Sequence, residues 1–203
     1  MNRPWLGQYP AGVSADIDHH KFASLKEVLA ATCARFGDLP AYSSMGTVMS
    51  FRQIDDASRA FAAWLQKEAR LQRGDRVTLM LPNLLQYPVA LFGVLRAGLV
   101  VVNVNPLHSP RELAHQLKDS GATAIVVFEN FAHTLVEAVQ TTAIRTVITT
   151  QVGDLLPTFK RLLTTMVVKH VKKNWSRPGT CRARLTSGRC CRQAVRSRLM
   201  RQR

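Results

Sequence analysis

Six histidines, four cysteines and 13 carboxylates are the side chains of this 203-residue sequence that could do acid–base, nucleophilic or metal chemistry. Their spacing does not bring them together. His19-His20 fall in an irregular, proline-containing opening, and His115 and His133 sit among polar neighbours in helical stretches. Asp55 and Asp56 are adjacent on a predicted helix and so point in different directions, which excludes a paired-carboxylate site. Cys181, Cys190 and Cys191 form no Cys-x-x-Cys pair and no histidine follows them, so zinc is not expected. Cys33 reads as a small buried apolar residue. A phosphate cradle needs several glycines at a helix start, but neither Gly-x-Gly-x-x-Gly nor Gly-x-x-x-x-Gly-Lys-Ser/Thr occurs. The serine elbow Gly-x-Ser-x-Gly is absent too. No catalytic, cofactor-binding or metal-ligating residue is therefore assigned.

The elements that would have to position such residues are easier to read. Residues 1–20 are predicted irregular. Ser24 and Glu27 form a capping box ahead of Leu25, Val28, Leu29 and Cys33, which predicts a helix stopping near Gly37. Ala41–Ser44 and Thr47–Ser50, parted by Gly46, predict a hairpin. Phe51–Ala69 places Ile54, Ala57, Ala60, Phe61, Trp64 and Leu65 on one helical face. A strand–helix alternation follows: strands at Val77–Leu81, Leu99–Val104, Ala124–Phe128 and Thr146–Thr150, with helices at Leu84–Arg96, Ser109–Ser120 and Phe131–Gln140. Continuously apolar strands of this kind belong in a parallel sheet covered on both faces, so the fold class is α/β: a partial, mostly parallel sheet with flanking helices. Gly74 and Gly98 permit turns, Pro82 and Pro106 end strands, and Asn83 and Asn105 can bond the freed backbone.

Charge divides the chain. Residues 1–176 carry 19 Lys/Arg against 13 Asp/Glu; residues 177–203 carry nine arginines, three cysteines and no acid. The formal +15 thus exaggerates the case for nucleic acid, and the tail has neither lysine nor an aromatic to stack on bases, so no specific nucleic-acid partner is expected. Asp154–Lys173 combines an apolar stripe (Leu155, Leu156, Phe159, Leu162, Leu163, Met166, Val167) with Lys160, Arg161, Lys169, His170, Lys172 and Lys173. That pattern suits a helix docked on its own sheet, and alternatively peripheral contact with an anionic membrane surface. The opening has no apolar signal region and Val89–Val104 is interrupted by Arg96, Gly98 and Asn103, so the expected location is cytoplasmic or peripheral to the inner membrane.

Gly74-Asp75-Arg76-Val77-Thr78-Leu79-Met80-Leu81-Pro82-Asn83, Leu95-Arg96-Ala97-Gly98, Val102-Asn103-Val104-Asn105-Pro106 and Lys118-Asp119-Ser120-Gly121-Ala122, in this order, resemble the N-terminal part of acyl-adenylate-forming enzymes. With Trp5-Leu6, Tyr9-Pro10-Ala11-Gly12-Val13 and the run from Val152 to Lys173, the sequence is most similar to bacterial long-chain fatty-acid–CoA ligases over residues 1–176. His108 stands where that pattern has tyrosine. The resemblance implies ATP-dependent activation of a fatty acid to an acyl-adenylate, then thioester formation with CoA, supported by Mg²⁺, and a homodimer. It also implies a Thr/Ser/Gly-rich phosphate loop ending in Pro-Lys-Gly, which none of the 203 residues supply. The chain is therefore expected to hold a truncated α/β portion at 1–176, to need no cofactor by itself and to be inactive alone. The alternative is a basic, non-enzymatic protein associating with membranes or nucleic acid.

Residues 177–203 admit three readings: a basic binding arm, a disordered extension, or the product of a shifted reading frame. Composition favours the third. Cys181 to Ala194 can be encoded by GC-rich codons that, read one base earlier, give Pro-Gly-Ala-Val-Asp-Leu-Gly-Ala-Leu-Leu-Pro-Ala-Gly, an ordinary apolar sequence resembling the family's continuation.

Overall fold

The structure is a computed structural model and describes residues 3–18 and 20–155. The helix α1 (Leu25–Phe36) is capped by Ser24, whose hydroxyl accepts from Glu27 N–H. The box closes differently from expectation, because Glu27 Oε2 accepts from Ala23 N–H rather than from Ser24. Of the four apolar residues predicted to face the core, only Leu29 is buried; Leu25 and Val28 are exposed and Cys33 is half-buried. Strands β1 (Pro40–Ser44) and β2 (Thr47–Ser50) form the predicted antiparallel hairpin. Its two-residue loop puts both Met45 (φ 50°) and Gly46 (φ 67°) in the left-handed region, the turn whose twist matches paired strands.

Helix α2 (Phe51–Lys67) starts in a complete capping box between Ser50 and Gln53. It buries Ile54, Ala57, Phe61, Trp64 and Leu65 of the predicted face, leaves Ala60 half-buried, and also buries Ser58 and Ala62. Then come β3 (Arg76–Met80), α3 (Gln86–Arg96), β4 (Val100–Asn103), α4 (Pro110–Ser120), β5 (Ala124–Phe128), α5 (Ala132–Ala138) and β6 (Thr146–Thr150). Short 3-10 turns flank α5 on both sides, so the predicted helix from 131 to 140 is regular only in its middle. A further 3-10 turn, Pro4–Gln8, lies in the segment predicted irregular.

The main sheet is all parallel, in the order β4-β3-β5-β6. Alternation along the two central strands separates the core into two layers. Val77, Leu79, Ala124, Val126 and Phe128 pack with α2 and α3, whereas Met80, Ile125 and Val127 pack with Leu113 and Leu117 of α4 and Leu135 of α5. Both faces are covered, which is why β5 reads as an unbroken apolar run and β3 is apolar from Val77 on apart from the buried Thr78. Complete burial of a leucine or isoleucine is worth about 1.5–3 kcal/mol, and Ile54, Leu65, Leu113, Leu117 and Ile125 all reach it.

Candidate functional site

In an open parallel sheet, ligands lie outside the carboxyl ends of the strands, where successive connections leave for opposite faces. That switch falls between β3 and β5. The chain goes from β3 through α3 on one face to β4, then through α4 on the other face to β5. The residues at this rim come from four segments: 81–86, 103–109, 128–131 and 150–155.

Polar side chains tie the rim together. Gln86, buried in the first turn of α3, donates through Nε2 to the Gln151 carbonyl (2.8 Å), joining the end of β3 to the segment after β6. Tyr87 donates its hydroxyl to Asn103 Oδ1 (3.2 Å), and Gln116 Nε2 donates to the Asn103 carbonyl (3.4 Å). Asp154 Oδ2 accepts from Thr150 Oγ1 (3.0 Å) and Gln151 N–H (2.8 Å). Asn105 Oδ1 accepts from Leu107 N–H (3.0 Å), as predicted for a strand-ending Asn-Pro. At Asn83 the chain turns instead through Leu84 N–H bonding to the Pro82 carbonyl (2.8 Å). His108, next to the Ser109 cap, keeps a buried Nδ1 that finds no hydrogen-bond partner among the described residues.

This rim can orient and hydrogen-bond, but it does not fit a nucleotide's phosphates or a phosphate-bound Mg²⁺. Its four segments contain no Lys or Arg, their only glycine is Gly153, and their carboxylates are Glu129 and Asp154. No cluster of His, Cys, Asp or Glu among the described residues could hold a metal. No chemical step is derived through either group.

The other predicted positions are scattered. His115 and His133 are exposed, and His133 Nδ1 lies 3.1 Å from the Asn130 carbonyl. Asp56 is exposed, while Asp55 turns inward to Arg59 (2.8 Å) and Arg96. Cys33, predicted buried, is half-buried, with Sγ 3.4 Å from the Phe51 carbonyl; burial, with the nearby Asp55 carboxylate, pushes its thiol pKa up. His19, His170, the three tail cysteines and all but the start of Asp154–Lys173 lie outside the described residues. No helix among the described residues is long and apolar enough to cross a membrane. A hollow opens at the opposite end of the sheet, lined by Lys26, Gln66, Gln72, Arg73, Arg96 and Gly98 among others. The sequence reading missed Gln86 and Asn103, since no local pattern marks a glutamine that bonds 65 residues away.

The family model for the AMP-binding enzyme matches residues 29–181. The chain is 55% identical to a long-chain-fatty-acid–CoA ligase of Escherichia coli O157:H7 over 85% of its own length and 31% of the relative's. Against the enzyme of that name from Bacillus subtilis the identity is 34%, over 79% of this chain and 28% of the relative. The chain thus spans about a third of the length of these relatives. A crystal structure of a long-chain-fatty-acid–CoA ligase from Archaeoglobus fulgidus superposes with TM-score 0.58 at 24% identity, over 63% of this chain and 27% of that one. A benzoate CoA ligase from Burkholderia xenovorans superposes with TM-score 0.59 at 23% identity, over 68% and 28% respectively, so the α/β sheet and helices are those of this fold. The matched stretch contains the whole parallel sheet with its covering helices, and on that ground the chain belongs to the AMP-binding enzyme family.

Proposed function

We propose that this chain is the amino-terminal portion of a long-chain fatty-acid–CoA ligase and that it performs no ligation by itself. The observation that carries the reading is the 55% identity to the E. coli enzyme over 85% of the chain. The whole enzyme would join a fatty acid to CoA at the expense of ATP, with Mg²⁺ neutralising phosphate charge. The described residues supply a scaffold and a hydrogen-bonded rim. The phosphate loop expected of the family occurs nowhere in the 203 residues, so the chain keeps the scaffold without the charge-handling parts.

Residues 177–203 belong, in this reading, to a shifted frame. Peripheral membrane contact through Asp154–Lys173 is the finer part of the proposal and is supported by its apolar stripe and basic flank. Sequencing the gene beyond the codon for Trp175 tests the frame directly. A downstream frame encoding a Thr/Ser/Gly-rich loop ending in Pro-Lys-Gly is expected; its absence would sink the proposal.

A further inference from the structure

The hollow at the amino ends of β3 and β4 has a volume of about 440 Å³ and gathers cations from three segments. Lys26 comes from the first turn of α1, Arg73 from the loop before β3, and Arg96 from the last turn of α3. A Cβ at Gly98 would stand 3.5 Å from Arg73 Cγ, so the Arg73 stem lies against the left-handed turn that ends α3. No carboxylate and no aromatic side chain lines the hollow. Arg96 is paired with Asp55, yet its buried Nε finds no hydrogen-bond partner among the described residues. Lys26 and Arg73 are exposed and form no ion pair among those residues. All 13 Asp and Glu of the chain are described residues, and Met1, Asn2, His19 and 156–203 contain none. The rest of the chain therefore brings no carboxylate side chain to these cations.

We propose that this hollow is an oxyanion site that takes a phosphate dianion. The proposal goes beyond the ligase reading and does not depend on it. Two charges, Lys26 and Arg73, stay uncompensated once Asp55 has neutralised Arg96. The carbonyl ends of α2 and α3 meet here, and Gln66 Nε2 already donates to the Ala97 carbonyl (3.2 Å). Each helix end is worth about half a negative charge, so the two reduce the surplus without cancelling it. A monocarboxylate would satisfy one guanidinium fork only. A tetrahedral phosphate can accept from a guanidinium, an ammonium and the spare Arg96 Nε–H together. With no aromatic ring to stack on a base, the recognised group is the phosphate itself, free or at the head of a lipid, rather than a nucleotide.

Binding is read on the full chain as a saturable rise in unfolding temperature with inorganic phosphate, at constant ionic strength with chloride in the blank. Lys26→Gln/Arg73→Gln is compared with Arg111→Gln/Lys118→Gln, which removes the same charge from exposed positions on α4, at the other face. That comparison separates the hollow from general attraction to the basic tail. The α4 pair should keep the phosphate response, whereas Lys26→Gln/Arg73→Gln should raise the apparent Kd at least about tenfold. Lys26→Arg/Arg73→Lys should retain binding. Hydrogen exchange at the amides of 97–99 should slow with phosphate in the unchanged chain and not in Lys26→Gln/Arg73→Gln. Vesicles of phosphatidylcholine with and without phosphatidic acid separate the two sources. Vesicle binding lost only in Lys26→Gln/Arg73→Gln assigns the lipid headgroup, and unchanged vesicle binding assigns free phosphate. An equal phosphate response in the two Gln double variants overturns the proposal, as does exchange at 97–99 that phosphate leaves unchanged.

Discussion

Arg96, in the last turn of α3, donates to Asp55 on α2, and the two side chains are 14% and 16% exposed. Asp55 also accepts from Arg59 one turn along its own helix (2.8 Å). The pair locks the two helices that cover one face of the sheet. Removing one partner leaves a poorly solvated charge, so Asp55→Ala should cost about 2–3 kcal/mol in urea unfolding. The apolar pair Asp55→Leu/Arg96→Met should cost less than Asp55→Ala alone, because no orphan charge remains. Equal losses would show that the contact contributes through packing only.

Gly93 lies where α3 crosses Phe61 of α2. A Cβ built there would stand 2.6 Å from Phe61 Cδ1, and Phe61 is itself buried. Helix propensity alone would favour alanine by about 1 kcal/mol, but overpacking costs about 1–3 kcal/mol. Gly93→Ala should therefore lower the unfolding midpoint, and adding Phe61→Leu should recover part of the loss. Thermal melts of the three proteins check this.

The Ser109 cap ties stability to acid. Glu112 Oε2 accepts from Ser109 N–H and from its hydroxyl, and these bonds hold the Glu112 carboxyl below its ordinary value of 4.5. A depressed folded pKa contributes stability that is fully present above the ordinary value. It is lost as pH falls through the lower folded one. Melts between pH 6 and pH 3 should show a smaller acid-dependent decline for Glu112→Gln than for the unchanged chain. Ser109→Ala should cost about 1 kcal/mol at neutral pH through the lost cap.

Cys33 should react slowly. Burial raises its thiol pKa, so less thiolate is present at pH 8 than for a free thiol. In a Cys181→Ser/Cys190→Ser/Cys191→Ser background, Ellman's reagent should titrate one thiol more slowly than it does glutathione, and at the glutathione rate in denaturant. A native rate equal to that of glutathione would contradict the half-buried placement.

Much of this architecture is written locally. The mostly apolar run of β3 and the unbroken one of β5, the Ser109-Pro110 start of α4, and the turns at Gly74 (φ +87°) and Gly98 (φ +78°) each follow from a few neighbouring residues. What escaped the sequence is non-local or set by packing. Gln86 bonds across 65 positions, and Asp55 finds Arg96 across 41. The periodicity of α1 showed which residues are apolar, but not that Leu25 and Val28 would lie exposed. The left-handed Met45 was hidden because the hairpin loop is two residues long, with Gly46 as its only visible signal. The rim at the carboxyl ends carries no motif, because glutamine and asparagine bonded to backbone carbonyls have no characteristic spacing.

Fatty-acid-dependent release of pyrophosphate from ATP, measured in parallel on the purified 203-residue chain and on residues 1–176 fused in frame to the remainder of the E. coli O157:H7 ligase, tests the central claim most directly. The account predicts turnover by the fusion and none by the chain. Turnover by the chain itself, or a folded fusion that releases no pyrophosphate, would contradict it.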